Sequence, residues 1–255
     1  MYVNWGISIN LPYYYKKKLN NKYNSIQFHF DNNKITDKDI EKIKFFFNNN
    51  KKLKNVFVHS SYKINIGSPF IKHNNKIYNY SIEILEKEIE FMKKLNLKNI
   101  VLHTGKNKEH ILSNKTVLKN MFVFINYILN NHNINIILET SSGQGSETLC
   151  DLKNFVTFIQ LFKKNKNYEN LGICIDTCHI FQAGYDININ KMILEVHKIF
   201  KPINDKIKVI HLNDSYHEVG MKIDRHEIIG KGKIKPKQLN KFVSVYRHLS
   251  LINEF

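Results

Sequence analysis

The sequence has few cysteines and no long apolar run, and these two absences exclude whole classes of protein. Its three cysteines, Cys150, Cys174 and Cys178, include no C-x-x-C pair, which argues against a disulfide framework and fits a reducing compartment. No apolar run approaches the roughly 20 residues of a membrane span. Residues 1–15 lack the basic-then-apolar pattern of a signal peptide. We therefore expect a soluble intracellular protein that enters no membrane, in a compartment that the sequence does not specify.

Acidic residues are also scarce. The chain has 22 Asp and Glu against 39 Lys and Arg, so its formal net charge is +17. An excess of this size favours a polyanionic partner, with nucleic acid as the first candidate, because phosphates that bind lysine release their condensed counterions. The alternative is a coding composition biased towards Lys, Asn and Ile, in which a solvated lysine surface needs no partner. The composition leaves both interpretations open.

Proline and glycine are few, at 4 and 10 residues, and no linker rich in Pro, Gly and Ser divides the chain. The length of 255 residues fits one large domain, and the hydrophobic fraction of 42% is enough for a sizeable core. We therefore predict a single domain that spans residues 1–255.

Strand-like and helix-like segments alternate along the whole chain. Thr36 is a predicted N-cap, and Ile40, Ile43 and Phe47 share one face of the helix that follows it. The predicted helices are Asp37–Asn49, Tyr80–Leu95, Lys115–Asn131, Leu152–Lys164, Met192–Phe200 and Pro236–His248. The predicted strands are Tyr2–Ile9, Ser25–Phe30, Val56–His59, Asn99–His103, Asn135–Glu139, Leu171–Asp176, Lys206–Leu212 and Leu249–Glu254. Alternation of this kind implies a parallel sheet in an α/β fold, and eight units close into a single (β/α)8 TIM barrel.

The sixth predicted strand ends in residues with metal-ligand chemistry. Asp176 stands where the apolar run Ile173–Ile175 stops, and His179 follows three residues later. A carboxylate and an imidazole at one strand end are able to ligate the same ion or two neighbouring ions. The alternative is that Asp176 caps the next helix and that His179 is a buried histidine with satisfied hydrogen bonds.

The other strand ends make the metal interpretation stronger. In a (β/α)8 barrel the carboxyl ends of the strands meet at one rim, and six consecutive strands here end in or beside a ligand-type residue. Packing alone does not explain this, because burying unpaired carboxylates is costly. The nine residues that we predict to converge are His59, His103, Glu139, Asp176, His179, His211, Asp224, His226 and Glu254. The other seven histidines, His29 among them, receive no assignment.

Several motifs that contain these residues resemble the endonuclease IV family of apurinic/apyrimidinic (AP) endonucleases. They follow the family's order from about residue 56 to the end of the chain. The motifs are His59-Ser60-Ser61-Tyr62-Lys63-Ile64-Asn65 with Ser68-Pro69, Leu102-His103-Thr104-Gly105, Leu138-Glu139-Thr140 with Gly143-Gln144-Gly145-Ser146, Cys174-Ile175-Asp176-Thr177-Cys178-His179, His211-Leu212-Asn213-Asp214, and Asp224-Arg225-His226-Glu227 with Gly230-Lys231-Gly232.

The chain departs from the family pattern in two places. The family's N-terminal Gly-x-His-x-Ser element is replaced by Trp5-Gly6-Ile7-Ser8, without the histidine. The family usually continues past its last strand through a closing helix, which this sequence does not include. The final-strand motif, Leu251-Ile252-Asn253-Glu254, matches only loosely.

The resemblance implies a DNA-repair enzyme with three zinc ions. It would hydrolyse the phosphodiester 5′ to an abasic site in duplex DNA, leaving a 3′-hydroxyl and a 5′-deoxyribose phosphate, and would act as a monomer. The resemblance also assigns the ligands of each ion. It gives the first ion to His59, His103 and Glu139, and the second to Glu139, Asp176, His211 and Glu254. The third ion would be held by His179, Asp224 and His226. Glu139, Glu254 and Asp176 form the predicted catalytic set, since the two glutamates are placed to orient or deprotonate a water molecule.

Four further residues are predicted to contact DNA. Arg225 is suited to clamp a phosphate, with a structural ion pair as the alternative. Tyr62 is suited to stack on a base, with an ordinary loop aromatic as the alternative. Gly143 and Gln144 begin a small-residue loop that a phosphate is able to approach, with a plain turn as the alternative.

Two other functions stay open from the sequence. One is a metal-dependent sugar isomerase or epimerase on a related barrel, which would need fewer metals and would not need His59, His103 or His226. The other is a barrel that binds nucleic acid without catalysis. Metal content and nicking of an abasic duplex separate the three functions.

Overall fold

A computed structural model describes residues 5–10, 23–29, 36–73 and 76–254. Its main sheet is a closed barrel of eight parallel strands in the spatial order β1-β12-β9-β8-β7-β6-β3-β2. These strands are β1 (Trp5–Asn10), β2 (Ser25–His29), β3 (Asn55–His59), β6 (Asn99–Leu102), β7 (Asn135–Glu139), β8 (Leu171–Asp176), β9 (Ile207–His211) and β12 (Ser250–Asn253). The predicted (β/α)8 architecture is confirmed.

Seven helices are present in the described part of the chain. They are α1 (Asp37–Asn49), α2 (Tyr80–Lys94), α3 (Asn114–Asn131), α4 (Leu152–Gln160), α5 (Thr177–Gln182), α6 (Asn190–Phe200) and α7 (Pro236–Phe242). Thr36 caps α1 as predicted, through a reciprocal capping box with Asp39. Ile40 and Ile43 of α1 are buried, and Phe47 is partly buried beside them. Among the described residues, no helix is both long enough and apolar enough to cross a bilayer.

Two predicted helices are shorter than the sequence indicated. The helix predicted for Leu152–Lys164 is α-helical only to Gln160 and continues as a 3₁₀ turn over Leu161–Lys164. The helix predicted for Pro236–His248 ends at Phe242, and a 3₁₀ turn follows over Val243–Val245. The β-branched valines and the Ser244 hydroxyl, which donates to the Lys241 carbonyl at 2.7 Å, favour this tighter end.

Other differences concern short elements and strand ends. The seventh barrel strand begins at Ile207, because Lys206 belongs to the 3₁₀ turn before it. The sequence analysis missed helix α5 and two small sheets, formed by β4 (Ile71–His73) with β5 (Lys76–Tyr78) and by β10 (Asp214–Ser215) with β11 (His226–Glu227). The first predicted strand began at Tyr2 and the second ended at Phe30, and both of these residues lie outside the described ranges.

The barrel encloses an apolar middle layer, and the larger apolar core lies between the barrel and its helices. The interior cluster consists of Phe57, Val101, Ile137, Cys174, Val209 and Ile252. Because side chains alternate along a strand, the neighbours of these residues, such as Val58, Ile100 and Leu138, point outward into the second core. Residues two positions further along each strand then reach the rim at the carboxyl ends.

Glycine lets two rim loops approach each other. A Cβ atom on Gly105, after β6, would lie 2.6 Å from the backbone nitrogen of Gly67, after β3. Asn65 joins the same loops, because its amide donates to the Lys106 carbonyl at 2.9 Å and its carbonyl oxygen accepts from the Lys106 N–H at 2.7 Å. This contact brings the segments that follow His59 and His103 together.

Candidate metal centre

The structure brings all nine of the predicted ligand-type residues to the rim of the barrel. Four of them are the last residues of barrel strands, and His103 and Glu254 come one residue after β6 and β12. His179 lies in α5, Asp224 in the loop between β10 and β11, and His226 at the start of β11. The four strand-terminal residues are His59, Glu139, Asp176 and His211.

The first group of ligand atoms comes from His59, His103 and Glu139, whose atoms lie within 4.8 Å of one another. Nε2 of His59 is 3.2 Å from Oε2 of Glu139, and Nε2 of His103 is 3.6 Å from the same oxygen. Tetrahedral zinc ligands at about 2.0–2.2 Å from the ion lie about 3.3–3.6 Å apart. The spacing of this group therefore fits one ion.

The second group combines Glu139 with Asp176, His211 and Glu254. Nδ1 of His211 lies 2.8 Å from Oε1 of Glu139 and 3.2 Å from Oε2 of Glu254. Oδ2 of Asp176 is 3.7 Å from the same nitrogen. Glu139 thus turns one oxygen towards each group, which is the orientation of a carboxylate shared by two ions.

The third group contains His179, Asp224 and His226. Oδ1 of Asp224 lies 3.0 Å from Nε2 of His179 and 3.3 Å from Nε2 of His226. Asp176 also reaches this group, because its Oδ2 lies 3.6 Å from Nε2 of His226. Its other oxygen accepts the His179 N–H at 2.9 Å and caps α5. Both interpretations of Asp176, the helix cap and the member of the cluster, therefore describe its geometry.

Burial and mutual attraction displace the pKa values of these groups in opposite directions. Burial alone would raise the pKa of Glu139, but the charges of His211 and His103 outweigh it and hold that pKa well below its usual range. Burial would lower the pKa of His179, but Asp176 and Asp224 raise it well above its ordinary value. The imidazoles placed against Glu139 thus keep its carboxylate ionised, whereas burial raises the pKa of Asp176 despite the nearby His179 and His226.

The arrangement of donor atoms fits a metal better than a hydrogen-bond network. Nε2 of His179 is fully buried and has no partner in hydrogen-bond geometry, although Asp224 is close to it. Burial raises the pKa of the Cys174 and Cys178 thiols to about 12, which keeps sulfur protonated. The donors that remain are imidazole nitrogens and carboxylate oxygens, a set that suits zinc or manganese.

Tyr62 and Arg225, two of the predicted DNA contacts, lie at the edge of this centre. The Tyr62 side chain is 74% exposed, and its ring centroid lies 5.8 Å from that of His59 and 5.5 Å from that of His103. Its loop is held in place by Glu88 of α2, whose Oε1 accepts the Ser61 N–H at 3.0 Å.

Arg225 is exposed, with its guanidinium carbon 4.6 Å from the Tyr216 ring centroid. Within the described ranges, its guanidinium forms no ion pair with a carboxylate.

Gly143 and Gln144 lie in the loop after β7. Gly143 has a φ of +81°, which a residue with a side chain rarely adopts. Oε1 of Gln144 accepts the Asp224 N–H at 2.7 Å, so this side chain joins its loop to the loop of the third group. The buried Glu147 carboxylate organises the turn by accepting hydrogen bonds from the Ser141 and Ser142 hydroxyls at 2.9 and 3.0 Å.

The sequence analysis missed three residues that contact the cluster. Gln27 is fully buried between His211 and Glu254, and Asn213 donates to both Asp176 and Glu254. His29 was left unassigned, but its Nε2 lies 3.5 Å from Oε1 of Glu254. The alternation of side chains along β2 could have indicated two of these residues. Gln27 and His29 lie on the inward face of that strand, and the neighbouring strand β3 ends in His59.

A family model and curated relatives match this chain. The model for the xylose isomerase-like TIM barrel matches residues 19–253. A protein named "Probable endonuclease 4" from Thermosipho africanus is 35% identical over 213 residues, which covers 80% of this chain and 72% of the relative. A second protein of that name, from Staphylococcus carnosus, is 35% identical over 195 residues. That match covers 75% of this chain and 62% of the relative, so the chain spans less than two thirds of its length.

Solved structures share the fold at lower identity. Endonuclease IV from Thermus thermophilus superposes with a TM-score of 0.76 at 18% identity, covering 99% of this chain and 92% of that one. A D-tagatose 3-epimerase-like protein reaches the same TM-score of 0.76 at 19% identity, covering 98% and 89%. The fold is therefore shared by proteins named as an endonuclease and as an epimerase-like protein, whereas both sequence relatives above are named endonuclease 4. On these matches the chain belongs to the endonuclease IV family, within the xylose isomerase-like TIM barrels.

Proposed function

We propose that this protein is a zinc-dependent AP endonuclease that hydrolyses the phosphodiester 5′ to an abasic site in duplex DNA. The observation that carries the proposal is the convergence of five histidines and four carboxylates in three groups with a shared glutamate. The relatives named endonuclease 4 support the same activity. The products would be a 3′-hydroxyl and a 5′-deoxyribose phosphate.

Three zinc ions would be held by the three groups. His59, His103 and Glu139 would hold the first, Glu139, Asp176, His211 and Glu254 the second, and His179, Asp224 and His226 the third. When bound, such ions acidify a water molecule and stabilise negative charge on phosphate oxygens. The buried walls of the site, formed by side chains that are almost fully enclosed, strengthen these electrostatic effects.

Within the predicted catalytic set, Glu139 and Glu254 would orient the attacking water and accept its proton. The pKa of Glu254 is held well below its ordinary value, because the charge of His211 and the hydrogen bonds from His211 and His29 outweigh the effect of burial. Both glutamates are therefore ionised, which is the state in which a carboxylate accepts a proton. Water attacks phosphorus, the P–O3′ bond breaks, and the released O3′ takes up a proton. Asp176 would keep the second and third groups in register, since its Oδ2 faces both.

DNA would be held at the rim by Tyr62, Arg225, the Gly143–Gln144 turn and the basic segment Lys231–Lys237. The exposed face of Tyr62 offers a surface for a base or for the abasic deoxyribose. Arg225 offers two parallel N–H donors to a phosphate. We propose that the protein acts as a monomer, because one chain supplies every group of the site.

The direct test is incubation of the protein with a duplex that carries a single abasic-site analogue. We expect a nick 5′ to the lesion, a product that a polymerase extends from its 3′-hydroxyl, and loss of the activity after dialysis against a chelator. Added zinc should restore it. An undamaged duplex of the same sequence is the control. Equal nicking of both duplexes, or nicking that survives chelation, would contradict the proposal.

An epimerase or isomerase is the second candidate, because the D-tagatose 3-epimerase-like structure superposes equally well. Such an enzyme would use a single metal in the group of Glu139, Asp176, His211 and Glu254, and it would have no use for His59, His103 or His226. Metal analysis separates the candidates: three zinc ions per chain favour the nuclease and one favours the epimerase. A barrel that binds nucleic acid without catalysis would bind the abasic duplex and leave it intact.

A further inference from the structure

Strand β2 carries two polar side chains that reach the metal centre without belonging to any of its ligand groups. Gln27 is fully buried, and His29 follows it on the same face of the strand. His29 pairs in register with His59, the first ligand-type residue of the neighbouring strand. On β1, the strand on the other side, the Ser8 hydroxyl accepts from Gln27 Nε2 at 3.4 Å.

The orientation of the Gln27 amide follows from its neighbours. Nε2 of Gln27 lies 2.7 Å from Oε1 of Glu254, and Oε1 of Gln27 lies 2.8 Å from Nε2 of His211. An ionised carboxylate only accepts hydrogen bonds, so the NH₂ group of the amide must face Glu254. The amide oxygen then faces His211, and the His211 ring must donate from Nε2.

This contact decides which atom of His211 is free to bind a metal. A histidine that binds a metal is neutral and carries one proton. The Gln27 amide oxygen would keep that proton on Nε2, so Nδ1 would present its lone pair to the ion. Nδ1 is the atom that faces Glu139 at 2.8 Å and Glu254 at 3.2 Å. A partner that fixes the tautomer in this way raises the metal affinity of the histidine that it contacts.

Gln27 and His29 also decide which oxygen of Glu254 faces the centre. Oε1 is occupied by Nε2 of Gln27 at 2.7 Å and by Nε2 of His29 at 3.5 Å. Oε2 is left to face His211 and Asn213. The His29 ring is itself fixed by stacking, with its centroid 4.6 Å from that of His59 and 6.2 Å from that of Tyr62.

From this geometry we infer that Gln27 and His29 are positioning residues that select the metal-binding atoms of His211 and Glu254. The inference rests on the proposed metal-dependent function, and it concerns the ion held by Glu139, Asp176, His211 and Glu254. Gln27 acts on two ligands at once, so it has the larger role. His29 supports one oxygen of one ligand.

The test measures zinc affinity and cobalt absorption of metal-stripped protein, neither of which requires DNA. Gln27→Met keeps the length of the side chain and removes both hydrogen bonds. We expect it to weaken the affinity for one ion about 10–100-fold, the effect typical of lost partners of metal ligands, and to alter the visible spectrum of bound Co²⁺. Gln27→Glu keeps the acceptor for His211 and loses the donor to Glu254. It should also lower zinc affinity, and it replaces Gln27→Met if that variant does not fold.

Two further variants separate positioning from packing. His29→Phe keeps the stacked ring and removes the donor, so it should weaken zinc binding less than Gln27→Met does, and His29→Gln should restore part of the loss. Ser25→Ala is the matched control, because Ser25 is equally buried on the same face of β2, where its hydroxyl bonds to that of Ser250 at 2.8 Å. We expect Ser25→Ala to lower the melting temperature and to leave zinc affinity unchanged.

Wild-type zinc affinity and an unchanged cobalt spectrum in both Gln27 variants would overturn the inference. So would a loss of zinc affinity in Ser25→Ala as large as that in Gln27→Met, since the effect would then be one of general stability. Nicking of an abasic duplex by the wild-type preparation is measured in parallel. A protein that binds zinc and responds to Gln27→Met, yet fails to nick, would contradict the proposed function and support the inference.

Discussion

The two ends of the barrel interior differ in the same way on four of its strands. Strands β3, β6, β7 and β12 each place a neutral polar residue at the start, an apolar residue in the middle and a ligand-type residue at the carboxyl end, all on the inward face. The triplets are Asn55-Phe57-His59, Asn99-Val101-His103, Asn135-Ile137-Glu139 and Ser250-Ile252-Glu254. We call the amino-terminal end the floor and the carboxyl-terminal end the rim.

The floor satisfies its polar groups internally. Ser250 accepts from the Asn55 amide at 2.9 Å, and the Asn135 amide donates to the side-chain oxygen of Asn99 at 2.8 Å. These groups are neutral, and they border a cavity of about 430 Å³ that is also lined by the exposed residues Glu169, Lys208 and His248. Hydrogen bonding and packing alone are enough to explain their presence.

The rim holds charges that packing does not explain. Four carboxylates and five histidines share one buried space, and Nε2 of His179 has no hydrogen-bond partner. Keeping such groups out of water costs free energy unless a ligand compensates them. The difference between the ends therefore marks the rim as the functional end.

The largest expected effect is a loss of cleavage rate, and it should come from removing the charge of one rim residue. Glu139→Gln keeps the shape of the side chain and removes the charge that the two proposed ion sites would share. We expect the cleavage rate of an abasic duplex to fall by about three orders of magnitude or more, because water activation and leaving-group stabilisation both depend on the pair of ions. DNA binding should persist, since it rests on basic contacts to phosphates. Single-turnover nicking and a binding titration measure the two effects.

Asn135→Ala is the matched control for that variant, at the floor end of the same strand. It should cost some stability, because it removes the hydrogen bond to Asn99, and it should leave the cleavage rate unchanged. A Glu139→Gln protein that melts early but cleaves at nearly the parental rate would show that Glu139 is structural.

The second effect concerns the dependence of stability on pH. Burial raises the pKa of Glu88, which supports the Tyr62 loop, to about 8. Its Oε2 has no hydrogen-bond partner. The pKa of Glu88 is higher in the folded protein than in the unfolded chain, so the protonated side chain favours the folded state. This contribution to the free energy of unfolding is complete below about pH 4.5 and is lost as the pH rises through about 8.

Glu88→Gln cannot ionise, so its free energy of unfolding should exceed that of the wild type increasingly between those pH values. We expect a difference on the order of 2–4 kcal/mol at pH 8.5 and above. Urea denaturation of both proteins at pH 5, 7 and 9 measures it. All other titrating groups are the same in the two proteins, so their contributions cancel in the difference between the two free energies of unfolding. Stability curves that stay parallel across this pH range would show that Glu88 does not make stability depend on pH.

The third effect separates a DNA-binding surface from a merely lysine-rich composition. Exposed Lys231 and Lys235 follow β11 at the rim side, whereas exposed Lys163 and Lys164 precede β8 at the floor side. Reversing the first pair to Glu should weaken binding to an abasic duplex about tenfold or more. It should also flatten the slope of log affinity against log salt by about 2, since each neutralised phosphate contributes about 0.9.

Reversing Lys163 and Lys164 changes the net charge equally and should leave affinity near that of the wild type. Salt titrations of both double variants make the comparison. Equal weakening by the two would mean that affinity follows net charge, and a flat wild-type slope would mean that the lysine excess is compositional.

The smallest effect should come from the floor. Ser250→Ala removes a buried hydroxyl that bonds to Ser25 and Asn55. We expect a loss of about 1–2 kcal/mol in the free energy of unfolding, with zinc content and nicking unchanged. Denaturant titration and metal analysis check the two parts. A change in zinc content would show that the ends of the barrel are coupled.

The strands and their rim residues were predictable because both follow short local rules. An apolar run of β-branched residues predicts a buried strand, and a ligand-type residue at its end is visible in the same few letters, as in Asn135–Glu139. The bounds of that strand and of Leu171–Asp176 agree with the structure. The short helix α5 was missed because it begins directly at the end of β8, with Asp176 serving as both the last strand residue and the cap.

The supporting residues were not predictable in the same way. Gln27 and His29 have no motif of their own, and their role depends on which strands become neighbours when the barrel closes. Gln144 shows the same limit, because its contact with the Asp224 N–H joins loops that are 80 residues apart in the chain. Periodicity gives the direction of a side chain, whereas only the three-dimensional arrangement gives its partner.

The position of β12 in the sheet also sets an order for the assembly of the centre. This strand pairs with β1 on one side and β9 on the other, so the barrel closes only when its first and last strands meet. Strands β3, β6 and β7 are consecutive barrel strands along the chain and neighbours in the sheet. We therefore expect the first ligand group to form in an open sheet, before the entropic cost of the longest loop closure is met. If the proposed zinc sites are correct, zinc should be taken up during refolding in an early phase at His59, His103 and Glu139 and in a late phase that waits for Glu254.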